Sequence, residues 1–299
     1  MTSFSPTRPP RGRLARLGIV LDSDERAVSL ARLCDRAGID IIWLVERGRL
    51  DADPSLASVA ERADEVASSL ERAALGLMVG PDDDPDRLVG SAAIRGLAAA
   101  GRLELTVRSG IDLAPWTTVV PRARRSVVVR DMGEVPAALV GADDIALTAW
   151  QFSDLETASD EVRAEATECG RDPSTLGVAA LLPVSIGRTQ AEADARVAAD
   201  AIFGLVGDPA EVGIFGTLEE CQDRVIALAH AGITDLRCIV PATLDIHDVI
   251  AQLTAITVGT TDVLLPGSLR SPAPPPPDGW GGRSPVPERP RVSGGSRRR

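Results

Sequence analysis

The side chains in this sequence that could do chemistry stand at the ends of short apolar runs. Glu46 follows Ile39–Val45, IDIIWLV, at a point where a carboxylate has no packing purpose, and it could act as an acid, a base or a substrate anchor. Arg108 and Ser109 follow the run LELTV, and Arg130 follows SVVV. A guanidinium at such a place can hold a phosphate, or it can pair with one of the many acids of the chain. Trp150 follows IALTA and can wall a ring pocket or pack in the core. Asp22 and Ser23 close the first run and read as helix caps. There are only two histidines. His230 falls near a helix C-terminus, which favours it structurally, and His247 falls in the first turn of the last helix. Neither ends a strand, which argues against a His-based metal site or triad. Cys34, Cys169, Cys221 and Cys238 are widely spaced with no CxxC, so they read as free thiols of a reducing compartment and no metal is expected. A pocket with so few titratable groups suits chemistry carried by a bound cofactor.

The elements that must position these residues alternate. Strands are expected at Leu14–Leu21, Ile39–Val45, Ala74–Val79, Leu103–Val107, Ser126–Val129, Ile145–Ala149, Leu176–Ile186 and Leu236–Val240, with helices between most of them. The plainest unit is Val212–Ala242. Thr217 and Glu220 form a capping box, Cys221, Val225, Leu228 and Ala229 recur at helical spacing, Gly232 stops the helix, and a strand follows that is apolar apart from Arg237. Strands this apolar demand a parallel sheet covered by helices. Eight of them favour a (β/α)₈ barrel, a TIM barrel of α/β class, over an open sheet, and no glycine-rich dinucleotide fingerprint follows any strand. The rhythm weakens between strands four and six, where Ile111–Arg125 reads as a loop and Gly133–Val140 as a stub of helix, so the barrel is expected to be contracted there.

Composition bounds the partners. Hydrophobic residues make up 44% of the 299 residues, enough for a large core, but aromatics only 3%, so Ala, Val, Leu and Ile must fill it. The net charge of −11 hides basic ends: residues 1–16 hold four Arg and no acid, and residues 266–299 hold seven Arg and two acids. A body so acidic is not expected to bind nucleic acid. Residues 1–13 and the Pro/Gly/Arg-rich 266–299 are expected to be disordered tails around a single domain, 14–265. No apolar run approaches a membrane span and no secretory signal is legible, so a cytoplasmic protein is expected.

Four stretches resemble the luciferase-like monooxygenase superfamily of flavin- or deazaflavin-dependent barrel oxidoreductases. They are AGIDIIWLVE at 37–46, similar to a strand that there ends in Trp-x-x-Glu-His; DPDRLVGSAAIRGLAAAGRLELTVRSG at 84–110; Gly187-Arg188-Thr189 with the helix after it; and FGTLEECQDRVIALAHAGITDLRCIVPA at 215–242. The departures are Arg47 in place of the His, Thr106 and Arg108 in place of a Gly-x-Gly, Arg130-Asp131-Met132 in place of glycines that meet the cofactor phosphate, and a short link from strand four to strand five. The resemblance implies hydride transfer on a small-molecule substrate with FMN or coenzyme F420 as cofactor. It places the ring beside Met78, Val79 and Ser109, with Arg108 or Arg130 replacing backbone contacts to phosphate. Glu46, the catalytic candidate, and Trp150 would border the substrate, and a homodimer is open to such a barrel. The alternative is a degenerate barrel that binds no cofactor and serves as a non-catalytic subunit or binding protein. A metal-dependent hydrolase is disfavoured by the ligand pattern.

Overall fold

The computed structural model describes residues 16–45, 56–149, 151–200, 213–241 and 245–264. Its strands and helices follow one another as β1 (Arg16–Asp22), α1 (Ala27–Ala37), β2 (Ile41–Val45), α2 (Leu56–Ala67), β3 (Ala74–Met78), α3 (Pro85–Val89), α4 (Ala92–Ala99), β4 (Leu103–Arg108) and α5 (Ala114–Val119). Then come β5 (Arg124–Val128), α6 (Val135–Ala138), β6 (Asp144–Thr148), α7 (Leu155–Glu168), β7 (Gly177–Ile186), α8 (Gln190–Ala198), β8 (Ile214–Gly216), α9 (Leu218–His230), β9 (Asp235–Ile239) and α10 (Ile246–Leu264).

All strand pairings are parallel, and β1 to β7 with β9 close into a barrel through β9–β1. Following the paired residues once round returns to β1 eight residues lower, the shear of a (β/α)₈ barrel. The expected fold class is therefore the observed one. β8 was not anticipated: three residues, Ile214–Gly216, add to the upper half of β7 at Val184–Ile186. Its Gly216 has φ +133°, a conformation that favours glycine, and leads into Thr217.

Local chemistry explains most boundaries. Thr217 and Glu220 make the expected capping box at the start of α9, and Thr189 and Asp154 cap α8 and α7. Gly38 and Gly232, at φ +88° and +95°, follow α1 and α9. The link from β3 to β4 holds two helices, because the chain turns at Gly90 and Ser91 caps α4 through the Ile94 N–H. The stretch 111–125, read as loop, holds the six-residue α5, started by Asp112 accepting from the Ala114 N–H. The contraction itself is as expected: the links on either side of β5 carry only short helices, α5 of six residues and α6 of four. At the opposite end of the molecule's first turn, Asp35 ties α1 to β3 by accepting from the Glu71, Arg72 and Ala73 N–H groups.

Alternation along the strands makes two interiors. Outward residues such as Ile19, Ile42, Leu75, Leu105, Ile145 and Leu236 join the helices in the main core. The alternate residues face the barrel axis, where Val20, Ile41, Trp43, Val45 and Ile239 form a separate cluster. Trp43 takes the centre. A Cβ on Gly76 would sit 2.3 Å from its indole carbons, so Gly76 is the space that the ring occupies. Gly76→Ala should therefore destabilise the protein by about 1–3 kcal/mol, the usual cost of overpacking. Combining it with Trp43→Leu should cost less than the sum of the two single changes, as read from denaturant midpoints; strict additivity would show that the two sites do not share that space.

Candidate functional site

Below Trp43 the barrel is filled with charge. Arg16, Glu104, Arg124, Asp144, Asp235 and Arg237 come from β1, β4, β5, β6 and β9, and all face the axis at its N-terminal end. Arg16 meets Asp235 Oδ2 at 2.5 Å and Glu104 Oε2 at 2.7 Å, the latter an ion pair without hydrogen-bond alignment. Arg124 grips both oxygens of Asp144. Arg237, almost fully buried, spans the barrel: Nη2 donates to Glu104 Oε1 and to Ser126 Oγ, both at 2.7 Å, and Nη1 donates to Thr106 Oγ1 at 3.3 Å. Its guanidinium carbon lies 4.2 Å from the centre of the Trp43 ring, a cation–π contact. Three guanidiniums face three carboxylates. Burial still dominates: it pushes Glu104 up to about 7 against the opposing pull of Arg237 and Arg16, and it raises Asp235 in the same way.

Above Trp43 the axis is apolar. Val20, Val45, Met78, Val128, Ala146 and Leu181 wall a slot at the C-terminal mouth, completed by Trp43, Thr106 and Arg237. It is narrow, with a free volume of about 20 Å³, room for roughly one water, and it opens at the mouth. Barrels of this class place their chemistry at this end.

Met78, half-buried, lies in the slot wall as its expected role requires. Val79 faces the other way and is buried in the outer core. Arg108 and Ser109 follow at the top of β4, both half-buried, with the Ser109 N–H donating to the Val128 carbonyl at 2.9 Å. Arg130 is exposed and paired: its backbone N–H and Nε reach the Glu134 carboxylate at 2.8 Å each. Burial works against the Glu134 charge, but Arg130 and the Ser109 side chain outweigh it and hold that carboxyl below its ordinary range. Glu46, Arg47 and Trp150 lie outside the described residues. The groups not singled out as site residues from sequence are Trp43, Glu104, Thr106 and Arg237. Arg237 carried a signal, since it interrupts an apolar run, whereas Glu104 and Thr106 alternate in a strand that reads as having one wet face. Among the described residues no cluster of three or more His, Cys, Asp or Glu is placed to hold a metal ion, and no helix is long and apolar enough to cross a membrane.

No family model matches the chain, and no curated protein matches it in sequence. Solved structures do share its fold. The coenzyme F420-dependent tetrahydromethanopterin reductase of Methanopyrus kandleri superposes with a TM-score of 0.60 at 14% identity, over 82% of this chain and 99% of that one. An F420-dependent secondary alcohol dehydrogenase, solved with an F420–acetone adduct, gives 0.62 at 12% identity over 82% and 99%. Monooxygenase RslO1 of Streptomyces bottropensis gives 0.60 at 13% identity over 84% and 100%. Such neighbours include F420-dependent oxidoreductases and a monooxygenase, so the resemblance read from the sequence holds at the level of the fold.

The charged floor yields a signed pH prediction. A carboxyl whose folded pKa is raised favours the native state below its unfolded pKa, and that contribution is lost as pH rises through the folded value. Glu104→Gln removes this titration. The stability of the wild type minus that of the variant should fall, by on the order of 1–3 kcal/mol, as pH rises from 4.5 to 8. Urea midpoints across that range measure it. A difference that stays flat or grows with pH would show that Glu104 is not held protonated by burial.

Proposed function

We propose that this chain is a luciferase-like oxidoreductase that uses FMN or coenzyme F420 to transfer hydride to or from a small organic substrate. The observation that carries the reading is the apolar slot at the C-terminal mouth of a barrel shared, nearly end to end, with structures described as F420-dependent. Met78 and Val128 give the slot an apolar face on which the edge of a flat ring could rest, and Arg237 is the one charged side chain among its described lining residues. Arg108, at the top of β4, is the cation that would meet the phosphate, and the exposed Gly110, at φ +91°, leaves room beside it. The bound cofactor would supply the hydride acceptor or donor. The chain would hold the ring by apolar contact, exclude water through the same walls, and orient the substrate with Glu46 and Trp150, with Glu46 moving a proton.

One observation favours the second reading, a barrel without cofactor. The Arg130 guanidinium is neutralised by Glu134, so the place where a phosphate would be met carries a carboxylate. Titrating the purified chain with FMN and with F420, and following cofactor fluorescence, separates the two. Saturable binding of one cofactor is expected; saturable binding of neither would leave the non-catalytic barrel. Arg108→Ala should weaken binding by about tenfold or more, the loss of a charge-assisted hydrogen bond, and wild-type affinity in that variant would refute the phosphate role. Glu134→Gln should tighten binding, since it releases Arg130 and removes a like charge from the phosphate.

A further inference from the structure

The two short helices beside β5 differ from the others in what they show to solvent. The exposed residues of α5 and α6 are Ala114, Pro115, Thr118, Pro136 and Ala137, with no charge among them. Each of the other helices exposes at least one charged residue, such as Arg32 on α1, Arg95 on α4, Asp160 on α7 or Asp248 on α10. Val140, just past α6, is 89% exposed, and among the described residues only Leu218 joins it as an exposed large apolar side chain. Between the two helices lies a groove with a free volume of about 600 Å³, lined by Ile111, Leu113, Val127, Ala138 and Val140. Polar groups in it are engaged. Arg125 pairs with Asp143 and donates to Thr117 Oγ1, and the Thr117 and Thr118 hydroxyls donate to carbonyls one turn back. An uncharged, largely apolar surface of this kind has the composition of an interface core.

Charge indicates the occupant. Residues 17–265 hold 21 Arg against 41 Asp and Glu, whereas residues 108–144 hold five of each, so this sector is neutral on an acidic body. Two copies of the chain repel over most of their surface and can approach where the charge is balanced. The sector is also complementary to itself. Asp112 and Arg122, both exposed, flank α5 at its two ends. Across a two-fold axis two α5 helices run antiparallel, which brings Asp112 of one copy to Arg122 of the other, twice. The outer edge of α5, Ala114, Pro115 and Thr118, carries only small side chains and suits a groove with no full-length helix over it.

We propose that this face is the interface of a two-fold homodimer, in which α5 of each copy sits in the groove of the other and Val140 closes against it. No cofactor or substrate enters this proposal, so it stands or falls apart from the oxidoreductase reading. Sedimentation velocity of the full chain from about 1 to about 100 µM tests it, and a dimer that forms with rising concentration is expected. Val140→Asp puts a charge into the contact at two equivalent points and should weaken the dimer by about a hundredfold or more, while its exposure in the monomer leaves folding intact. Asp112→Arg and Arg122→Asp should each weaken association through like charges. An equimolar mixture of these two variants should dimerise again, because the mixed dimer restores both pairs. Hydrogen exchange of the wild type at the two ends of the concentration range needs no variant: amides of 111–119 and 135–142 should exchange more slowly at the high end. A wild type that stays monomeric at about 100 µM would overturn the proposal and leave this face to a different protein. A dimer that withstands Val140→Asp, or whose exchange slows elsewhere and not at α5 and α6, would overturn it by placing the contact on another face.

Discussion

The interaction on which this structure depends is the span of Arg237 across the barrel axis. One side chain ties β9 to β4 and β5 through Glu104, Thr106 and Ser126, and so joins strands on opposite sides of the closed sheet. Ions buried this deeply are costly, and such networks often contribute little net stability. What they contribute is register. The network can be satisfied only when β1, β4, β5, β6 and β9 all stand at the shear that brings their polar residues to one level. A slip of one residue on any of these strands would turn its charge into the outer hydrocarbon layer. Two glycines make room for it. A Cβ on Gly177 would collide with the Asp144 carboxylate, and Gly76 admits the ring of Trp43.

Trp43 then divides the axis. One face of its ring meets Arg237, and the slot beside it is lined mostly by hydrocarbon. The division explains why an apolar slot can exist over six buried charges, since the indole separates the two while accepting the guanidinium on its face. It also sets how deep a ligand can reach. The mouth around the slot is less evenly built. Where α5 and α6 are short, the outside of β5 is thinly covered, a groove opens between Leu113, Ala138 and Val140, and Val140 stands exposed. The same shortening leaves the turn after β5 to a side-chain pair, Arg130 with Glu134, rather than to a longer helix.

The layer between barrel and helices was legible in the sequence because it follows from simple periodicity. Cys221, Val225, Leu228 and Ala229 on α9 repeat at helical spacing, and the strand Ile39–Val45 is apolar throughout; both needed only a count of residues. The Thr217 and Glu220 box was equally local. The inside of the barrel was harder. Leu103–Arg108, LELTVR, alternates like a strand with one wet face, and nothing local says that this face is the sealed interior. Glu104 and Arg237 are 133 residues apart and become partners only through closure. The short β8 was missed for a related reason, since three residues carry no period of their own and it exists only by pairing to β7. Val79 shows the limit of reasoning from proximity to a strand end. It is next to Met78, but parity sends its side chain to the other face.

The same parity narrows the chemistry that the mouth can support. Hydrolysis needs a nucleophile or a base in contact with water, and the slot offers Thr106, whose hydroxyl is taken by Arg237, among hydrocarbon walls. Of the charged groups Arg237 reaches the slot, and the carboxylates beneath are committed to guanidinium partners. A pocket arranged in this way contributes shape, dryness and a single buried field, and these act on a charge that a bound molecule brings or develops. On the proposed function, that charge would come with the bound cofactor. On this argument the ionic floor is more than a structural pin. It fixes the electrostatic setting beneath whatever occupies the mouth.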